Sequence, residues 1–139
     1  MISQSCSAQD LKCYPLVYRR FKKLKADSMT DTRIILTATG SEEEARKIAR
    51  ALVERRLAAC VNIVPQITSV YRWQGKVEEA REWLLIVKTT VAAFDQVSHA
   101  IAELHSYELP ECICLTIEDG SPAYLQWIAE SVSVTEVGK

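Results

Sequence analysis

The chain has 139 residues and a mass of 15.6 kDa, which is room for one domain. Apolar residues make up 48% and charged residues 25%, excluding a collagen-like, mucin-like or wholly disordered chain, and no apolar run approaches the ~18 residues of a membrane-spanning helix. The net charge of −1 is unevenly spread, because residues 1–28 carry six bases against two acids while the remainder is acidic, which argues against nucleic acid as a partner of the folded part.

The first segment, 1–31, shows no sustained period of 3.6 or 2. Its longest apolar stretch, Leu16-Val17-Tyr18, falls short of the ~7–15 residues of a signal-peptide core. A basic, disordered extension is expected here, with Met29 as an alternative start. The run from Arg19 to Lys25 would otherwise suit anionic lipid, RNA or an organelle address. Cys6 and Cys13 lie in this segment and are given no structural duty. Five cysteines without a C-x-x-C pair do not read as a disulfide framework and suit a reducing, cytoplasmic setting.

The body, 32–134, opens with Arg33-Ile34-Ile35-Leu36-Thr37-Ala38-Thr39, a β-branched run closed by Gly40 and read as a buried strand. Ser41 followed by Glu44 is a capping box, and Ala45, Ile48, Ala49, Leu52 and Val53 then recur at helical spacing. Cys60 to Trp73 reads as a long strand interrupted at Pro65, where the missing N–H predicts a bulge or an exposed edge. Gln74-Gly75 is the hairpin turn. Val77 to Thr89 returns as a second long strand, polar in its first half (Glu78, Glu79 and Glu82 as a solvated edge) and buried on both faces in its second. Phe94, Val97, Ile101 and Leu104 mark a second helix stopping near His105-Ser106. Cys112 to Ile117 is a fourth strand. Ser121-Pro122 caps a short third helix through Tyr124, Leu125, Ile128 and Val132, and 135–139 is a tail.

Strand, helix, strand, strand, helix, strand folds by right-handed crossovers into an α+β, ferredoxin-like βαββαβ sandwich with a long central β-hairpin and a short C-terminal helix. Each hairpin strand of about 13–14 residues extends ~45 Å, whereas a ~16-residue helix covers ~24 Å. The hairpin therefore overhangs its helices and leaves strand edges unpaired. With Tyr71, Trp73 and Val77 near its tip, an obligate oligomer is expected.

Several stretches resemble the CutA divalent-cation-tolerance family. They are Leu57-Ala58-Ala59-Cys60-Val61-Asn62-Ile63-Val64-Pro65, Ser69-Val70-Tyr71-Arg72-Trp73-Gln74-Gly75-Lys76, Glu82-Trp83-Leu84-Leu85-Ile86-Val87-Lys88-Thr89, His105-Ser106-Tyr107-Glu108-Leu109-Pro110-Glu111 and Tyr124-Leu125-Gln126-Trp127-Ile128. The resemblance spans about residues 33–132. It implies a homotrimer of ferredoxin-like subunits similar to the PII signalling proteins, a link to divalent-metal tolerance, copper especially, and in animals to acetylcholinesterase anchoring.

The resemblance draws attention to His105, with Glu108 and Glu111 following at spacings of three; imidazole and carboxylate suit copper or zinc. The family often has two adjacent histidines here, where this chain has Leu104, and its first-strand cysteine falls at Thr37. A helix-terminal histidine bonding nearby carbonyls is the other reading of His105. Cys112 and Cys114 share a strand face and suit either copper(I) or core packing, with packing favoured. Cys60 is either buried or a strand-edge metal ligand. Tyr71, Trp73, Lys88 and Tyr107 would line a ligand cleft between subunits, with Glu111 and Trp127 near, or else simply seal the assembly. Thr39-Gly40-Ser41 suits an anion only weakly, a capped turn better. Ser/His/Asp, zinc-hydrolase and P-loop signatures are not found, so no enzyme is expected. The chain is expected to be a homotrimeric copper or other divalent-metal binding and tolerance protein, with metal at His105, Glu111 and Cys60 and neither nucleic acid nor membrane as partner. The alternative is a PII-like small-molecule sensor or scaffold acting through the intersubunit cleft.

Overall fold

The structure, a computed structural model, describes residues 30–134. The expected disorder of 1–29 and the tail 135–139 lie outside the described residues. Thr30 and Asp31, which the sequence places in the basic extension 1–31, are tied into the domain: the Asp31 carbonyl accepts from the Val91 N–H at 2.7 Å, and the Thr30 hydroxyl donates to the Ile117 carbonyl.

The elements run β1 (Thr32–Thr39), α1 (Glu42–Glu54), β2 (Cys60–Trp73), β3 (Lys76–Thr90), a short 3-10 turn (Val91–Ala93), α2 (Phe94–Leu104), β4 (Ile113–Thr116) and α3 (Pro122–Ser131). The sheet order is β2-β3-β1-β4 with every pair antiparallel, the ferredoxin-like arrangement. Alternation explains the core. Ile35 on β1 and Leu85 and Val87 on β3 project from one sheet face and pack with Ile48 and Leu52 of α1 and Val97 and Ile101 of α2. All seven are fully buried.

Helix α1 starts as the capping box requires: Ser41 Oγ accepts from the Glu44 N–H at 3.2 Å. Its acidic first turn, Glu42 to Glu44, lies at the positive end of the helix dipole. At α3 the Ser121 hydroxyl makes no cap bond; its carbonyl instead accepts the Leu125 N–H at 3.0 Å. Strand β4 is shorter than the Cys112–Ile117 expected, since it pairs with only Arg33 to Leu36 of β1. The second half of β3 is also not buried on both faces. Leu85, Val87 and Thr89 are buried, while Leu84, Ile86 and Lys88 are only half-buried, because the face turned from α1 and α2 is less fully covered in one chain.

The irregularity at Pro65 has a consequence that alternation hides. Val64 pairs with Leu84 and Ile67 with Glu82, so Pro65 and Gln66 together oppose Trp83. That is a β-bulge, with Gln66 in the left-handed region at φ 53°. Before it, odd-numbered Val61 and Ile63 lie on the core side. After it, odd-numbered Tyr71 and Trp73 share a face with Glu78 and Lys76, the same face as Glu82, Leu84, Ile86 and Lys88. One inserted residue thus carries two aromatic side chains to the opposite side of the sheet. The strand then closes through Gln74 and Gly75, both at positive φ (48° and 78°), as a two-residue hairpin turn needs.

Leu52→Ala tests the packing of the core. Leu52 has no exposed surface, so the substitution should cost about 2–5 kcal/mol, read as a lower midpoint in chemical denaturation with unchanged slope.

Candidate functional site

The ends of β1 and α2 and the start of α1 meet at one corner, and a polar network joins them, buried at His105 and Glu82 and open to solvent at Ser106 and Tyr107. His105, the first residue past α2, has a fully buried side chain. Its Nε2 lies 2.8 Å from the Ala38 carbonyl, and its Nδ1 accepts the Tyr107 N–H at 3.0 Å. A carbonyl can only accept, so Nε2 carries the proton and Nδ1 the lone pair. Both ring nitrogens are therefore engaged. Ligation of a cation by His105 requires the ring to release Ala38 or Tyr107, and this geometry supports the helix-terminal reading over a preformed metal ligand.

Glu44 completes the corner. In a reciprocal capping box its carboxylate would turn back to the Ser41 N–H. Instead it spans to the loop after α2, accepting the Ser106 N–H at 2.5 Å and the Ser106 hydroxyl at 3.1 Å. Its Oε2 also stands 4.0 Å from His105 Nδ1.

Tyr107 links this corner to β3. Its hydroxyl donates to Glu82 Oε1 at 2.9 Å, and its ring lies 4.8 Å from that of His105. Burial first, then the bond to Glu82 and that residue's charge, with smaller contributions from Tyr71 and Glu44, push the Tyr107 hydroxyl up to about 12. Glu82 is only 7% exposed, which corrects its reading as part of a solvated edge. Gly40 permits the approach: a Cβ there would stand 2.8 Å from the Tyr107 hydroxyl oxygen, so any larger residue displaces the ring. Glu44, Glu82 and Gly40 were not singled out as a set from sequence. The capping box was the one signal at Glu44; nothing local marks Glu82, whose partner is 25 residues away.

The other site residues fall elsewhere. Glu111 is exposed on the segment leading to β4. Cys60 is half-buried and pairs across the ladder with Lys88, whose Nζ lies 3.7 Å from Cys60 Sγ and also donates to Asn62 Oδ1. An ammonium beside the thiol repels an incoming cation. His105, Glu111 and Cys60 are thus not gathered within one chain, and among the described residues no three His, Cys, Asp or Glu side chains form a metal-holding cluster. The cleft residues also separate. Tyr71 pairs with Glu78 and Trp73 with Lys76, whereas Lys88 pairs with Cys60, about 33 Å from Glu78 at ~3.3 Å per residue. Tyr71 acts electrostatically on Tyr107; Lys88 does not join them. Cys112 packs against the core, where burial pushes its thiol up, while Cys114 is exposed.

Sequence and structure comparisons bear on this architecture. The sequence model of the family described as CutA1 divalent ion tolerance protein matches residues 33–131. The chain belongs to the CutA1 family. The divalent-cation tolerance protein CutA of Thermus thermophilus is 53% identical over 98 residues, covering 70% of this chain and 95% of that protein. Its solved structure superposes with a TM-score of 0.72 at 51% identity, over 73% of this chain and 99% of the other. Protein CutA of Mus musculus is 48% identical over 96 residues, 67% of this chain but only 54% of the mouse protein, so the chain matches about half the length of that relative. A chloroplastic CutA of Arabidopsis thaliana is 37% identical over 137 residues, 92% of this chain and 75% of the other. Among the described residues no helix is long and apolar enough to cross a membrane.

Tyr107→Phe isolates the network. The folded protein holds the phenol protonated above the ordinary tyrosine value of 10.0, so this contribution to stability is complete below pH 10 and lost as pH rises toward 12. Between those values stability should fall less steeply in the variant than in the parent, followed by denaturation at fixed pH steps. At neutral pH the variant leaves Glu82 without its donor and should lose about 1–3 kcal/mol.

Proposed function

We propose that this CutA1 family member acts in divalent-cation tolerance as a homotrimer that binds copper or another divalent cation, without enzymatic activity, in the cytoplasm. The carrying observation is the segment 105–111. His105, Ser106 and Tyr107 are fastened to β1, α1 and β3, and this rigid support presents exposed Glu108 and Glu111. In this reading Glu111 contacts the cation, completed by donors from a neighbouring subunit. His105 fixes the segment rather than ligating.

Self-association is supported by the edges of the sheet, β2 and β4, which pair with no further strand among the described residues, and by apolar residues left in the open. Val70 and Val77 are 65% and 66% exposed near the hairpin tip. Ile113 and Leu115 of β4 and Val64 of β2 are also exposed, on the face turned from α1 and α2. Exposed apolar strand residues on open edges invite pairing with another copy. A reducing compartment suits the described cysteines, all of which are free. A PII-like small-molecule sensor is favoured by one observation, the electrostatic influence of Tyr71 on Tyr107, whose hydroxyl is bonded to Glu82. Trp73 and Lys88 would then reach such a cleft only across a subunit boundary.

Copper(II) titration against a competing chelator tests the cation reading. Glu111→Gln should weaken binding at least about tenfold, whereas His105→Ala should lower thermal stability with a smaller loss of affinity. Equal binding by the parent and Glu111→Gln overturns the assignment of Glu111.

A further inference from the structure

Cys60 and Lys88 are directly opposed across the β2–β3 ladder, so their side chains leave the same face of the sheet. Directly opposed residues have Cβ atoms about 4.5–5.5 Å apart. The Lys88 ammonium donates to Asn62 Oδ1 and stands 3.7 Å from Cys60 Sγ. Asn62, two residues along β2 on that face, holds the lysine head against the strand, and the thiol is the next group it meets. The other described cysteines lack this arrangement in their surroundings: Cys112 lies beside Ser98, Cys114 and Glu111, and Cys114 is exposed. The resulting thiol–amine pair is held by backbone pairing and does not depend on a mobile loop.

We infer that Cys60 and Lys88 form a peroxide-responsive covalent clasp, an N–S bond that joins β2 to β3. The Cys60 thiolate attacks one oxygen of hydrogen peroxide; the S–O bond forms and the O–O bond breaks. The departing hydroxide takes a proton from the Lys88 ammonium, giving water, a sulfenic acid and a neutral amine. The amine nitrogen then attacks sulfur; the N–S bond forms and the S–O bond breaks. This second hydroxide leaves as water with a proton from nitrogen. Sulfur is oxidised, peroxide is reduced, and one peroxide yields two waters. A thiol reductant reopens the N–S bond, as it does for sulfenic-acid condensation products in general. The clasp goes beyond cation tolerance and stands or falls separately from Glu111.

The test is intact-mass and tryptic peptide analysis of the full chain after treatment with hydrogen peroxide. The clasp predicts a species lighter by about two mass units, in which the peptide holding Cys60 is joined to the one holding Lys88, and which dithiothreitol restores. Lys88→Arg keeps the positive charge but should abolish the joined peptide and leave Cys60 as its oxygen adducts. Asn62→Ala should slow formation of the joined peptide. Disulfides between other cysteines also remove two mass units, but the peptide map separates them. The inference is overturned if the parent gives only oxygen adducts at Cys60, or if the joined peptide persists in Lys88→Arg.

Discussion

Strand β3 is the member on which everything else is hung. Its 15 residues pair with β1 over its C-terminal half and with β2 along nearly its whole length. Helices α1 and α2, of 13 and 11 residues, span about 20 Å or less at 1.5 Å per residue, so they cover only the half of β3 that lies between β1 and β2. There the core forms. Beyond it the hairpin continues as a two-stranded ribbon, and a two-stranded ribbon alone in water is marginal. The length mismatch therefore divides the molecule into a packed sandwich and an arm whose apolar residues need cover.

The polar corner sits where these parts meet. Glu82 is the last buried residue of β3 before the arm, and it receives the Tyr107 hydroxyl. From there the network passes through His105 to β1 and, through Ser106, to the first turn of α1. A buried carboxylate is costly unless its oxygens are bonded; here the partner also anchors the loop that leads to β4. The bond that relieves Glu82 thus also ties down Tyr107, at the start of the segment that carries Glu108 and Glu111. His105, with both nitrogens engaged, belongs to this support.

Much of the fold was legible in the sequence. The 3.6-residue spacing of Ala45, Ile48 and Leu52, the β-branched run Ile34-Ile35, the turn at Gln74-Gly75 and the break at Pro65 each act locally, so each could be read locally. The bulge itself was legible, but not its effect: the face taken by Tyr71 and Trp73 depends on whether one or two residues oppose Trp83, which only the register decides. The network at His105 was less accessible. Its bonded pairs, Tyr107 with His105, Tyr107 with Glu82 and Ser106 with Glu44, lie 2, 25 and 62 residues apart, and no periodicity connects them. A histidine after a helix looks the same from sequence whether it meets a metal or a carbonyl.

The central claim is that the arm and the free edges of the sheet are covered by further copies of the chain. Sedimentation equilibrium across a wide range of protein concentration tests it most directly. The account predicts a single species of three times the 15.6 kDa chain mass, persisting on dilution. A species of one chain mass that stays folded, with the apolar hairpin exposed, would contradict it.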